Sequence, residues 1–166
     1  MAVPNIKKIR IDQRLIHGQG AMWIANTQAN LVIVANDEVA QSHIQQELMK
    51  SLVPDSVGVR FFSVDETIEK LPKAAPRQTI FLIVKSPKDV LRIAQGGIKL
   101  EHVNIGNIHY AEGKTRLTGF ISIDSEDLAS LKSLQSDYGV TFDTMVTPMG
   151  TERGQNFNMD EYLKTH

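Results

Sequence analysis

Ile9-Arg-Ile-Asp-Gln-Arg-Leu-Ile-His-Gly-Gln19 begins as a strand and ends as the approach to a helix. Ile9 and Ile11 alternate with Arg10 and Asp12, which is the period-2 pattern of a strand. Gly18 interrupts it, and the residues from Ala21 to Ala25 suit a buried helix face. A strand feeding a helix through a short loop places the loop at the carboxyl end of a sheet, where open α/β folds bind ligands. A helix N-terminus there offers unpaired N–H groups and partial positive charge, both favourable to phosphate.

The loop carries chemistry that fits such a place. A neutral imidazole is a competent nucleophile toward phosphorus near neutral pH, and His17 is the candidate. Phosphoryl transfer spreads charge over three equatorial oxygens and mainly needs positioning. Arg14 offers those oxygens a planar fork. Asp12 either orients Arg14 or fixes the tautomer of His17, while Gln19 and the Gly18 amide add hydrogen bonds. Against this stands a plainer reading, in which the polar residues only cap the helix and His17 is merely solvated.

Outward from the loop, the pattern is strand–helix alternation. Leu31 to Ala35 is a continuous apolar run, as in a strand buried on both faces of a parallel sheet. Asn36 and Asp37 follow. Asp37 caps the next helix, or one of the pair faces the His17 loop. Ala40, Ile44, Leu48 and Leu52 recur every four residues and predict one buried helix face, with His43 off that stripe and Pro54 closing it. Val57 to Phe62 is a third strand, and Ser63 to Glu66 matches a capping box. Thr79 to Val84 is a buried fourth strand, with Lys85 and Ser86 at its carboxyl end. Ser86 reads as an N-cap before Pro87, or as part of a phosphate site if the first and fourth strands are neighbours.

Val103 to Gly106 is a fifth strand, and Gly106 allows close backbone approach at the active edge. Asn107 and His109 stand beside it. His109 contacts phosphate or a partner, or is simply exposed. Phe120 to Ile123 is expected as the sixth strand, followed by a helix capped at Asp124 or Ser125 and ended at Gly139. Val140 to Val146 is a candidate last strand, Pro148 to Gln155 a loop, and Asn158 the cap of a short final helix. His166 is expected to be disordered. Met22 and Trp23 read as core, or as an apolar contact patch. The result is one α/β domain over residues 1–166, with an open, mostly parallel sheet, helices on both faces and right-handed crossovers.

Composition narrows the function. The 166 residues are 42% apolar and 22% charged, which is ordinary for a globular domain with a sizeable core. A net charge of −1 gives no nucleic-acid or lipid surface. With no cysteine there is no disulfide or thiolate metal site, which suits a reducing cytoplasm. No histidine pair has metal-ligand spacing, so neither metal nor cofactor is expected. The first residues are too short and polar for a signal peptide, and no run approaches the roughly 20 apolar residues of a membrane span.

Arg10 to Gln19 resembles the signature of the B components (EIIB) of the mannose/fructose/sorbose class of sugar phosphotransferase systems. The stretches Val34–Ala40, Gln46–Lys50, Lys85–Val90 and Asn104–Asn107 extend the likeness across about residues 6–123. The resemblance implies a protein-phosphohistidine–sugar phosphotransferase. By that resemblance, phosphate would be accepted on His17, at Nδ1, from the EIIA component. It would then pass to a sugar held by the membrane EIIC/EIID components. The chain would be cytoplasmic and peripheral to the membrane through EIIC/EIID, with no insertion of its own. Its site would be exposed and fairly flat, since two partners reach it in turn. Gly20 departs from the family, which usually has a branched apolar residue there, and is expected to touch no chemical group. His109 to Lys114 resembles members assigned to amino sugars such as N-acetylgalactosamine; mannose, fructose and sorbose remain open. Two other functions compete. A histidine-dependent phosphatase or mutase needs adjacent Arg, His and Gly, whereas Leu15 and Ile16 separate Arg14 from His17; His109 would be its second histidine. A phosphate-binding module lacks a Gly-rich fingerprint.

Overall fold

The computed structural model describes residues 3–18, 20–150 and 156–166. Chain order runs β1 (Asn5–Asp12), α1 (Met22–Thr27), β2 (Leu31–Ala35), α2 (His43–Lys50), β3 (Gly58–Phe62), α3 (Val64–Lys70), β4 (Thr79–Val84), α4 (Pro87–Gln95) and β5 (His102–Asn107). It continues through β6 (Thr115–Arg116), β7 (Ser122–Ile123), α5 (Ser125–Tyr138), β8 (Thr141–Asp143) and α6 (Met159–Thr165). Six strands form one sheet in the order β3-β2-β4-β1-β5-β8, with every pairing parallel.

The apolar runs explain the middle of that sheet. All five residues of β2 are buried, as are Ile80 to Val84 of β4, because helices cover both faces. One core cluster joins Ile9, Ile11, Leu82 and Val84 to Val90 and Ile93 of α4 and Leu131 and Leu134 of α5. A second, on the opposite face, joins Val32, Val34, Phe81 and Ile83 to Trp23 and Ile24 of α1 and to Leu15 and Ile16. Each such large side chain contributes about 1.5–3 kcal/mol on full burial.

Caps follow the sequence closely. Ser63 and Glu66 form a capping box at α3, Ser86 accepts from the Asp89 N–H at α4, and Asn158 accepts from Glu161 at α6. Gly139 ends α5 in the left-handed conformation at φ 68°.

Several expectations are corrected. Phe120 to Ile123 is not the sixth strand of the sheet: Ser122–Ile123 pairs antiparallel with Thr115–Arg116 in a separate two-stranded ribbon. Thr141–Asp143 takes the edge position instead, beside β5. The stripe on α2 is not buried. Ile44 is 75% and Leu48 65% exposed, because of α2 only Met49 packs on the core, while Val39 before the helix and Val53 after it anchor the segment. His166 is ordered, its ring stacked on Tyr162 at 3.9 Å between centroids. Met22 and Trp23 part company: Trp23 is buried and Met22 exposed. Part of the expected loop from Pro148 to Gln155 lies outside the described residues.

This order puts β1 between β4 and β5. The chain leaves β1 toward β2 on one side and leaves β4 toward β5 on the other. The carboxyl ends of β1 and β4 therefore flank a topological switch point, where the connections diverge to opposite faces and leave a crevice.

Candidate active site

Alternation along β1 has an unexpected outcome. Ile9 and Ile11 enter one core, but Arg10 and Asp12 on the other face are buried too, with Arg10 only 2% exposed. They are buried because they answer one another. Arg10 Nε and Nη2 donate to Asp12 Oδ2 at 3.3 and 3.2 Å, and Nη1 donates to Asn104 Oδ1 at 2.6 Å and the Met145 carbonyl at 3.2 Å. Burial pulls the Arg10 guanidinium below its ordinary range, and Asp12 beside it works in the opposite direction.

Asp12 passes this order to His17. Its Oδ2 lies 2.6 Å from His17 Nε2, and its Oδ1 accepts the Arg14 backbone N–H at 3.0 Å. A carboxylate is an acceptor only, so Nε2 carries the hydrogen and Nδ1 keeps its lone pair. The Gly20 N–H points at Nδ1 from 3.3 Å. Of the two roles open to Asp12, the structure shows contact with His17, and with the backbone of Arg14 rather than its guanidinium.

Turn geometry delivers the histidine. Leu15 donates to the Asp12 carbonyl at 2.8 Å and adopts φ 60°, a left-handed conformation costly for a bulky L-residue. Burial of Leu15 and Ile16 under β2 and β4 holds that turn. From the other side, the Asn107 carbonyl accepts the Gln13 N–H at 2.9 Å, and Gln13 Oε1 accepts the His109 N–H at 2.6 Å. The loop is thus braced by the end of β5.

A cleft of about 480 Å³ opens over this loop. Among the residues around it are Arg14, His17, Gly18, Asn36, Lys85 and Leu48. The Arg14 side chain is exposed and makes no hydrogen bond or ion pair among the described residues. Asn36 Oδ1 accepts the Val39 N–H at 3.0 Å, so Asn36 caps the following turn, a role expected of Asp37. Asp37 instead reaches across to α3 and α4: Oδ1 accepts the Val64 N–H at 2.9 Å, and Oδ2 pairs with Arg92 at 3.1 Å. Ser86 does not line the cleft; its hydroxyl is spent on the α4 cap.

Other candidates act indirectly in this geometry. Gly106 packs on Arg10, since a Cβ there would stand 2.1 Å from the guanidinium carbon. Pairing between β1 and β5 slips at this point, with Ile11 opposite Ile105 but Asp12 opposite Asn107, so Gly106 is the extra residue of a bulge beside the site. The His109 imidazole is exposed and outside the cleft lining. Gln19 lies outside the described residues.

Two expectations about shape are also corrected. His17 is only 8% exposed and its surroundings form a cleft rather than a flat surface, because Asp12 holds the ring inward. Gly20 does touch a chemical group: a Cβ there would lie 2.8 Å from His17 Nε2. Sequence reading missed Arg10 and Asn104. Their only signal was a charged and a polar residue at strand positions whose neighbours are apolar. Among the described residues, no group of three or more His, Cys, Asp or Glu stands ready to hold a metal, and no helix is long and apolar enough to cross a membrane.

A parallel α/β sheet that sets an aspartate-held histidine at its switch point defines the class of fold and site, and comparison with known proteins makes the class specific. Residues 6–165 match the family model described as the PTS system sorbose subfamily IIB component, and the chain belongs to that family. It is 43% identical over 135 residues to the N-acetylgalactosamine-specific phosphotransferase enzyme IIB component 2 of Escherichia coli K12, covering 81% of this chain and 86% of the relative. Over 130 residues it is 35% identical to the mannose-specific EIIAB component of the same organism, covering 76% of this chain and 40% of that protein. A crystal structure of a PTS-dependent N-acetyl-galactosamine IIB component from Streptococcus pyogenes superposes with a TM-score of 0.92 at 41% identity, covering 98% of this chain and 99% of the other. The protein is a IIB component of the sorbose/mannose family, a phosphotransferase that relays a phosphoryl group to a sugar.

Proposed function

We propose that His17 is the residue phosphorylated, on Nδ1, by the EIIA component, and that the membrane EIIC/EIID components hold the accepting sugar. One observation carries this reading: Asp12 Oδ2, 2.6 Å from His17 Nε2, fixes the tautomer whose lone pair is on Nδ1. In the first displacement that lone pair forms a bond to the phosphorus of the donor's phosphohistidine. The old P–N bond breaks, and its electron pair returns to the donor ring. The His17 ring gains positive charge as the bond forms, and the Asp12 carboxylate balances it. In the second displacement a sugar hydroxyl attacks the phosphorus, and Nδ1 recovers its lone pair. The hydroxyl proton leaves to a base on the acceptor side.

Arg14 supplies an exposed cation to the cleft, Lys85 lines it as well, and the Gly18 and Gly20 backbone lies close to His17 Nδ1. Charge stabilisation by arginine, lysine and backbone N–H groups is sufficient for a loose transition state. Amino sugars such as N-acetylgalactosamine are the favoured cargo, supported by the relatives named for that sugar at 43% and 41% identity. The chain works as one cytoplasmic domain that meets the membrane through EIIC/EIID.

Incubation with phosphorylated EIIA tests the reading, with intact mass and phosphorus NMR in alkali as readouts. The wild type is expected to gain one acid-labile phosphate on His17, and His17→Ala none. Equal labelling of the two proteins removes His17 from the role.

A further inference from the structure

The hydrogen bonds that hold His17 do not end at Arg10. Register places Arg10 opposite Asn104 on β5 and Asn104 opposite Asp143 on β8, so three polar side chains stand side by side across three strands. Asn104 is fully buried. Its Oδ1 accepts from Arg10 at 2.6 Å, and its Nδ2 donates to Asp143 Oδ1 at 2.6 Å and to the Met145 carbonyl at 2.9 Å. Asp143 Oδ1 also accepts the Met145 N–H at 3.0 Å, and its Oδ2 lies 2.6 Å from His102 Nε2.

This pattern permits only one orientation of the Asn104 amide. Arginine has donors and no acceptor, while a carboxylate and a carbonyl have acceptors and no donor. Arg10 on one side, and Asp143 with the Met145 carbonyl on the other, therefore hold the oxygen of Asn104, and not its NH2, toward Arg10. Arg10 in turn holds Asp12, and Asp12 holds His17. The Met145 carbonyl, turned back by Asp143, accepts from both Arg10 and Asn104, so the segment after β8 closes the same network.

We infer that Asn104 and Asp143 are positioning residues for phosphoryl transfer, setting the tautomer and place of the His17 ring from the sheet edge through Arg10 and Asp12. The inference rests on the reading of His17 as the phosphorylated residue. Neither residue lines the His17 cleft, so both act through their neighbours.

Long-range proton–nitrogen NMR of the His17 ring, together with the rate of phosphoryl acceptance from EIIA, tests it. The wild-type spectrum is read first and is expected to show the Nε2–H tautomer; a dominant Nδ1–H tautomer overturns the proposal. Asp143→Leu keeps the approximate size but removes the acceptor that holds both the Asn104 NH2 and the Met145 N–H. It is expected to raise the ratio of Nδ1–H to Nε2–H roughly tenfold and to slow acceptance roughly tenfold, with the KM for the donor unchanged. Asp143→Asn keeps an oxygen facing both donors and turns its NH2 to His102, and is expected to retain most of the wild-type ratio and rate. A wild-type ratio and rate in Asp143→Leu overturns the proposal, and so does a loss in Asp143→Asn as large as that in Asp143→Leu. Asn104→Ser carries the same expectations should Asp143→Leu not fold. If the wild type accepts no phosphate, the reading of His17 fails, while the tautomer ratios still decide the relay.

Discussion

Asp12 Oδ2 is shared between two partners: His17 Nε2 at 2.6 Å and the Arg10 guanidinium at 3.2 Å. All three side chains are at least nine-tenths buried, so one oxygen serves both the fold and the chemistry. Asp12→Asn removes the countercharge and leaves Arg10 buried without it. Breaking a buried pair from one side costs about 3–5 kcal/mol. Losing the carboxylate also frees the imidazole tautomer, and a histidine in the wrong tautomer presents N–H where its lone pair is needed. We expect lower stability in urea unfolding and a drop of roughly a hundredfold in phosphoryl acceptance. Wild-type values for both would mean that the 2.6 Å contact has no energetic weight.

Gly106 is where backbone geometry meets that pair. The neighbour of its missing Cβ is the Arg10 guanidinium, 2.1 Å away. That group is not a free side-chain end, because Asp12, Asn104 and Met145 all hold it. Gly106→Ala must therefore move Arg10 or open the bulge. Overpacking of this kind costs about 1–3 kcal/mol. Thermal unfolding is expected to report that loss, with slower phosphoryl acceptance although residue 106 does not line the cleft. Retention of both would show that the strand end relaxes freely.

Asp37 gives a pH-dependent prediction. The Val64 N–H, followed by Arg92, holds its carboxyl below the usual carboxylate range. A depressed folded value means that the unfolded chain binds the proton more readily. The stabilisation is then complete above the unfolded value of about 3.9 and disappears as pH falls through the folded one. Because the side chain is more than half exposed, screening limits the effect to under about 1 kcal/mol. Asp37→Asn is expected to lower stability at neutral pH and to match the wild type in strong acid. A deficit of constant size across that range would assign the loss to shape rather than to charge.

Much of this arrangement could be read from the sequence, and the exceptions share a cause. Leu31 to Ala35 and Thr79 to Val84 fixed their own strands because double-sided burial leaves an unbroken apolar run. His17, Asp12 and the loop position followed from a strand–loop–helix pattern. Arg10 was hidden because an alternating charge normally marks a solvent face, and only the pairing of β1 with β5 shows that this face is closed by Asn104 and Met145. Asn36 took the cap expected of Asp37, and also lines the cleft, because a cap is decided by which amide lies within reach, which two adjacent polar residues do not reveal. Thr141–Asp143 displaced Ser122–Ile123 from the sheet edge through tertiary pairing, although Phe120 to Ile123 has the stronger strand pattern.

The apolar stripe on α2 was legible as a stripe but not as a surface. Ile44 and Leu48 are 75% and 65% exposed, and Leu48 also lines the cleft that holds His17. On the proposed reading of His17, a donor seated on the cleft covers Leu48, with Ile44 one helical turn away on the same face of α2. Exposed substitutions away from caps and core usually alter stability by less than about 0.5 kcal/mol, so Ile44→Ser with Leu48→Ser is expected to unfold like the wild type. Burial of an aliphatic side chain against a partner contributes about 1.5–3 kcal/mol, and each tenfold in affinity corresponds to about 1.4. The double variant is therefore expected to raise the KM for phosphorylated EIIA by roughly tenfold or more, while transfer at saturating donor stays near the wild-type rate. An unchanged KM would place the donor on another side of the cleft. A large stability loss would show that these two side chains belong to the core after all.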